Sequence, residues 1–282
     1  MNVDLHCHSY FSDGKQTPEF LIQRAVDNNI SHLAITDHDC TDALDLAAEI
    51  ATEVVIVNGV EISCLWDETE VHVLGLLVDR DNQQLSILLR AQQLSRLQRM
   101  QAMDKKLEAL GTQGLLAYIE ALGCVACSRS HAADFLVDNK VCKSRQKAFK
   151  SHLGKRGKLY VRANWVDLAG AIEAINAAGG VAVLAHPSRY PLNTKKLIRL
   201  VEAFKQHGGE GLEGTYANID PATQKQLKEL ALANDLYLSA GSDFHDSAAQ
   251  WTDIGKFPPL DRQAHSRAIW LHPRWQALYP VV

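Results

Sequence analysis

The chain is predicted to fold as an α/β body of parallel strands with helical crossovers, interrupted once by a long helical insertion. Three observations carry that expectation. Short apolar runs rich in Val and Ile alternate with stretches of helical period. Residues able to hold metals or phosphates fall where those runs end, which is where parallel α/β bodies carry their functional loops. Between positions 81 and 162 the alternation stops, and a polar helical texture rich in Gln and Arg replaces it.

Val3–His6 reads as a strand, Thr17–Asn28 as a helix with Pro18 in its first turn, and His32–Thr36 as a second strand. Thr41–Thr52 reads as a helix, and Val54–Val60 and Glu70–Val78 as two more strands. Gln83 to Leu110 is a long helix whose apolar stripe takes in Leu85, Leu88, Leu89, Leu94, Leu97, Met103, Leu107 and Leu110. A basic helical stretch follows to Lys158. The alternation then resumes with helix Val166–Ala178, stopped by Gly179-Gly180, and the wholly apolar strand Val181–Ala185. Helix Thr194–Gln206, strand Gly211–Thr215, helix Thr223–Asn234 and strand Tyr237–Ala240 complete the pattern. The expected division is a body of 1–80 and 163–282, with an inserted helical domain, 81–162, over its mouth.

Composition narrows the class. A chain of 282 residues with 46% hydrophobic residues can bury a large core. No run has the length of a membrane-spanning helix, and the first residues lack the basic-then-apolar layout of a signal peptide. The six cysteines show no disulfide-framework spacing, and the Cys124–Cys127 pair has no second pair to complete a zinc site. A reducing cytoplasm is expected. Net charge is only −4, but it is unevenly placed: Lys140 to Arg162 holds nine basic residues and no acidic one. Such a segment on an acidic body points to a polyanion-facing surface. Nothing in the sequence sets an oligomeric state.

The chemistry-bearing residues are dense. His6 and His8 alternate on a strand and so share a face. Asp13 lies in the turn before Gly14, His38 follows the second strand, and Glu61 ends the run from Val54. His72, His186, Asp243 and His245 fall at corresponding places further on. Six histidines and three carboxylates exceed the needs of one ion and suit two or three, with Glu61 bridging. Asp37 and Asp39 flank His38, and either is placed to orient its ring.

The motifs Asp4-Leu5-His6-Cys7-His8, Ser12-Asp13-Gly14, Ile35-Thr36-Asp37-His38, Gly59-Val60-Glu61-Ile62-Ser63, Ala185-His186-Pro187 and Gly241-Ser242-Asp243-Phe244-His245 resemble the PHP (polymerase and histidinol phosphatase) family of metallophosphoesterases. The likeness is to its branch of 3′,5′-nucleotide bisphosphate phosphatases and 5′→3′ exoribonucleases. It implies a distorted (β/α)7 barrel with a helical insertion and a site for up to three divalent ions. Mn²⁺ is the expected metal, with Zn²⁺, Fe²⁺ and Mg²⁺ as alternatives. By resemblance, His6, His8, Glu61 and Asp243 hold one ion, Glu61, His72 and His186 a second, and Asp13, His38 and His245 a third. Asp13, His38, Glu61 and His245 are then catalytic ligands. Arg129, with a planar fork suited to phosphate, and His131, a proton donor, stand in Arg129-Ser130-His131. Lys155, Arg156 and Lys158 lie in a basic loop one residue out of phase with the family's, and Arg189 is a further phosphate candidate. The expected activity is hydrolysis of a bisphosphate such as pAp, or removal of nucleotides from the 5′ end of RNA. A histidinol-phosphate-type monophosphatase and a non-catalytic RNA-binding protein are the alternatives.

Overall fold

The computed structural model describes residues 1–50 and 52–280 and has the expected α/β architecture. Strand β1 (Val3–Cys7) is buried along its length and leads through a tight turn to α1 (Pro18–Asp27), whose first turn is capped by the Thr17 hydroxyl. Strand β2 (His32–Ile35), helix α2 (Ala43–Glu49) and strand β3 (Val55–Trp66) follow, with β1, β2 and β3 parallel. Of the helix expected over Thr41–Thr52, Ala51 lies outside the described residues.

The first departure comes next. No helix crosses between β3 and β4 (Thr69–Leu76); the two form an antiparallel hairpin, and β4 is also antiparallel to β6 (Val181–Leu184). A two-residue connection makes this possible, since Asp67 and Glu68 both take positive φ, 45° and 62°. Such left-handed pairs match the twist of hairpin strands. The sheet is therefore mixed. Beyond β6 it is parallel again through β7 (Gly211–Thr215) and β8 (Tyr237–Ala240), in the order β1-β2-β3-β4-β6-β7-β8. The Asp243 amide donates to His6 O at 2.8 Å and the His8 amide to Phe244 O at 2.9 Å, so the segment after β8 lies against β1 and nearly closes a barrel.

Between β4 and β5 (Val166–Asp167) runs the helical segment: α3 (Gln83–Glu108), α4 (Leu115–Leu122), α5 (Arg129–Asp138) and α6 (Arg145–Ala148), which continues into a π-type turn at Phe149–Leu153. It has an apolar cluster of its own, including Met100, Met103, Leu107, Leu115, Phe135 and Leu153. The stripe expected on α3 is corrected in its middle. Leu94 and Leu97 are exposed, as is Leu110, whereas Gln92, Arg96 and Arg99 are buried. The reason is that this part of α3 lies over the polar end of the barrel. Arg96 reaches Asp39 at 2.6 Å, Ser63 Oγ at 2.8 Å and Cys127 O at 3.2 Å. Gln92 donates to Ser63 O at 2.6 Å.

Helices α7 (Leu168–Ala177), α8 (Thr194–Gln206) and α9 (Pro221–Ala233) pack the main apolar core against the sheet, and α10 (Arg262–His265) and α11 (Pro273–Leu278) finish the described chain. Val166 and Asp167, expected in α7, instead form β5, with Asp167 capping the helix by accepting from the Gly170 amide at 2.8 Å. No helix among the described residues is long and apolar enough to cross a membrane.

Candidate metal centre

The nine expected metal ligands converge at one end of the barrel. Their ligand atoms fall into four overlapping groups, each within 4.8 Å: His8, Asp13, His38 and His245; His6, Glu61 and His186; His6, His8 and Asp243; His38, Glu61 and His72. Strand alternation brings the first pair together, with His6 Nε2 and His8 Nε2 3.1 Å apart. Asp13 is held by a turn so close to the strand end that a Cβ on Gly14 would lie 2.2 Å from His8 O. Two placements differ from expectation. Glu61 and His72 sit inside the strands of the hairpin, not at strand ends, and Glu61 Oε1 reaches diagonally across it to His72 Nδ1 at 3.0 Å. Oε1 is also 2.9 Å from His186 Nε2, while Oε2 is 2.9 Å from His38 Nδ1 and 3.4 Å from His8 Nε2.

This donor set fits divalent cations. Asp13 Oδ1, His38 Nδ1, Glu61 Oε2 and His186 Nδ1 are buried and have no hydrogen-bond partner. His38 Nδ1 and Glu61 Oε2 are 2.9 Å apart yet not aligned to bond, so neither satisfies the other. Buried polar atoms are seldom left in that state without cause. Mixed imidazole and carboxylate donors suit Mn²⁺, Fe²⁺ and Zn²⁺.

The electrostatics favour ligation. Burial, then the neighbouring His245 and His38, hold His8 well below the usual imidazole range, and burial takes His186 down to about 4. Burial works against ionisation of Asp13, but His38, His245 and His8 outweigh it and hold the carboxyl well below its usual range. Glu61 is held low in the same way, by His72, His38 and His6. Burial would lower His6, yet Glu213 and Glu61 push it up to about 10. A metal at its Nε2 has to displace that proton.

Beyond the ligands, several placements are new. Glu213 on β7 accepts from His6 Nδ1 at 2.9 Å and from the His186 amide at 2.6 Å. Asp4 accepts from the amides of Ser242 at 2.8 Å and Gly255 at 2.6 Å, anchoring the loop that carries Asp243 and His245. Burial raises Asp4 to about 6 against those donors. Neither flanking acid of His38 orients its ring. Asp37 accepts from Ser12 Oγ, at 2.6 Å, and that hydroxyl lies 3.4 Å from His8 Nδ1; Asp39 is committed to Arg96.

A pocket of about 480 Å³ opens on the ligands and is lined also by Arg96, Arg99, Ser128, Arg129, Phe149 and Arg189. A second pocket of about 570 Å³ adjoins it, shares Glu70, His72, Arg129, His186 and Arg189, and adds Lys155, Tyr160 and Arg162. Glu70 lies between Arg129, at 3.3 Å, and Arg99, at 3.7 Å. Burial opposes its charge, but the two guanidinium groups hold the carboxyl down at about 2. Arg189 pairs with Asp243, and its guanidinium sits 5.0 Å from the centre of the Tyr216 ring.

Of the three candidates in the basic loop, Lys155 lines the pocket, while Arg156 and Lys158 are exposed and do not. His131 is placed differently from expectation. It is buried behind the first turn of α5, its Nδ1 accepting from the Ser128 amide at 3.0 Å in a capping box, and it lines neither pocket. Ser128, which that box fixes, is the residue that meets the centre, through a 2.8 Å hydrogen bond to Asp13 Oδ2.

The family model described as PHP domain matches residues 4–164. A 3′,5′-nucleoside bisphosphate phosphatase of Chromobacterium violaceum is 36% identical over 99% of this chain and 99% of its own length. The 5′-3′ exoribonuclease Rnm of Escherichia coli is 38% identical over 90% of this chain and 88% of its own. A solved structure from Bifidobacterium adolescentis, described as a metal-dependent phosphoesterase, superposes with a TM-score of 0.80 at 28% identity, over 95% of this chain and 97% of that one.

Proposed function

The chain belongs to the PHP-domain family of phosphoesterases, and we propose that it hydrolyses phosphate esters of nucleotides: 3′,5′-bisphosphates such as pAp, the 5′ ends of RNA, or both. The observation that carries this is the set of nine converging ligand atoms opening onto an arginine-lined pocket. Up to three divalent ions, Mn²⁺ in the first instance, fit His6, His8, Asp13, His38, Glu61, His72, His186, Asp243 and His245. When bound, such ions activate water and offset the charge of a phosphate ester.

The remaining work falls to side chains of the cleft. Arg129 presents a planar fork to a phosphoryl group at the mouth of the centre. Arg189 and Lys155 add positive charge in the adjoining pocket, where Tyr160 offers a ring to a nucleoside. Segment 81–162 acts as a cover that shields the cleft from water, supported by Arg96, Arg99, Arg129 and Lys155 all reaching the cleft from it. Both substrate types place a 5′-phosphate near an ester phosphate on the 3′ side, so one cleft can serve both. The basic cover disfavours a histidinol-phosphate-type monophosphatase, and the complete ligand set disfavours a non-catalytic RNA-binding role. Six free cysteines support a reducing cytoplasm.

Side-by-side assays on pAp, histidinol phosphate and 5′-monophosphorylated RNA, with Mn²⁺ and with EDTA, test the reading. Turnover of the nucleotide substrates that EDTA abolishes is expected; turnover confined to histidinol phosphate, or none at all, rejects it. Arg129→Ala is expected to lower kcat/KM on pAp by about 2–4 kcal/mol in transition-state terms, with metal content unchanged. A variant that loses metal but binds product analogues normally would put Arg129 among the groups that maintain the centre.

A second expectation concerns the strand of an RNA substrate. Lys143, Lys147 and Lys150 are exposed on the cover, and Arg145 beside them pairs with Asp134 at 2.9 Å. If they track phosphates, RNA affinity falls with salt at a slope of about −0.7 per contact, while mononucleotide binding depends on salt far less. Neutralising Lys143, Arg145, Lys147 and Lys150 together should weaken RNA turnover and spare pAp hydrolysis. Equal effects on both substrates, or none, mark the segment as an ordinary solvated face.

A further inference from the structure

We propose that Glu213 is the positioning residue for one cluster of ligands in the metal centre, that of His6, Glu61 and His186, which joins residues that the family resemblance assigned to two different ions. Its side chain is wholly buried on β7, a short strand otherwise made of Gly, Leu and Thr. A carboxylate in such a place is costly unless hydrogen-bonded donors compensate it. Both oxygens are engaged, and each engages a different ligand. Oε1 accepts from His6 Nδ1 at 2.9 Å, and Oε2 accepts from the main-chain amide of His186 at 2.6 Å. One side chain thus holds the ligand delivered by β1 and the ligand that follows β6.

The two contacts act differently. With Nδ1 committed to Glu213, Nε2 is the nitrogen of His6 left to give up its proton and offer a lone pair to a metal. That nitrogen lies 3.4 Å from Glu61 Oε1 and 3.4 Å from Asp243 Oδ1, facing the centre. The carboxylate therefore fixes both the tautomer and the direction of the ring, as carboxylate partners of metal-bound imidazoles do. At His186 the backbone is the object. Its φ of 26° and ψ of 56° are unusual for a histidine, and the contact to Glu213 ties that peptide down directly after the strand. The ring so placed puts Nε2 2.9 Å from Glu61 Oε1. Asp13 and His245, in another group, make no contact with Glu213.

Glu213→Gln keeps the volume but offers one acceptor where two N–H groups need one each. Whichever way the amide turns, either His6 or the His186 amide faces an N–H. Facing His6, it drives the imidazole proton to Nε2 and removes the lone pair. The inference rests on the metal centre proposed above, so the experiment separates the two. Metal-free wild type and Glu213→Gln are titrated with Mn²⁺ by calorimetry, alongside thermal melts of the metal-free proteins. The expected result is one tight equivalent fewer in the variant, or one weakened by about 10–100-fold, with the melt little changed. Activity should return as Mn²⁺ is raised, with KM for pAp unaltered, which a general loss of structure would not allow.

Wild type that takes up no Mn²⁺ overturns the metal centre itself. Equal uptake by wild type and variant overturns the role of Glu213 alone, and so does loss of every equivalent together. Should the variant not fold, NMR of the imidazole nitrogens in Zn²⁺-loaded wild type decides: a proton on His6 Nδ1 supports the proposal, and one on Nε2 overturns it.

Discussion

Asp13→Ala is expected to leave a folded protein whose phosphoesterase turnover falls by several orders of magnitude. Its Oδ1 lies 3.2 Å from His245 Nε2 and 3.6 Å from His38 Nε2, with no hydrogen-bond partner of its own. Removing the carboxylate takes the only acid from that group of histidines and leaves buried imidazoles facing one another. The fold should survive because the turn is made by the backbone: the amides of Ser12 and Gly14 donate to Ser9 O at 3.2 and 3.0 Å, and the Lys15 amide to His245 O at 2.7 Å. Asp13 also accepts from Ser128 Oγ, so part of its effect could pass through the cover. Ser128→Ala removes that tie, together with the Oγ that caps α5 at the Ser130 amide, and leaves the Asp13 carboxylate in place, so it serves as the control; a comparable loss there would shift the effect from ligation to the cover. Near-wild-type turnover in Asp13→Ala with full metal content would remove Asp13 from the catalytic centre.

Much of the site was legible because strand alternation and strand ends are local properties. His6 and His8 could be paired from their spacing alone, and His38, His186, Asp243 and His245 each follow an apolar run short enough to be a buried parallel strand. The hairpin was not legible. Its turn is Asp67-Glu68, without the Gly or Asn that usually marks left-handed turn positions, and the run Ile62 to Trp66 carries β3 on past Glu61. Glu61 therefore looked like a strand end and His72 like the member of a separate parallel strand.

The supporting acids were hidden for another reason. His6 and Glu213 are 207 residues apart, and Arg96 and Asp39 are 57. Nothing in either neighbourhood announces the partner, and Arg96 and Arg99 fall on a helix whose composition suggests a solvated face. The one available signal was an acid inside the short strand Gly211–Thr215, since a fully buried carboxylate is rare without a partner. For His131 the motif suggested chemistry, but a residue three after Ser128 at a helix start also meets the spacing of a capping box. That use took its Nδ1 and placed Ser128 at the centre.

Glu61→Gln is expected to reduce bound metal by more than one equivalent, the broadest effect of any single ligand change. Each oxygen of Glu61 has its own histidines. Oε1 is within 3.0 Å of His72 Nδ1 and 2.9 Å of His186 Nε2, and Oε2 is 2.9 Å from His38 Nδ1. The two oxygens thus face different histidines, and only a carboxylate can ligate through both. A glutamine has the same length but turns one oxygen into an amide NH₂, which cannot ligate. Either orientation of the amide damages a group, and the shared position weakens its neighbour. Elemental analysis of the purified variant should show the deficit, and full occupancy would contradict it. Stability offers an independent reading. An ion that binds only the folded state stabilises it by about 2.7 kcal/mol at a hundredfold excess over Kd. Wild type should therefore melt at a clearly higher temperature with Mn²⁺ than with EDTA, and most of that difference should vanish in Glu61→Gln. An undiminished Mn²⁺-dependent rise would mean that the ions reside elsewhere than between the oxygens of Glu61 and their histidines.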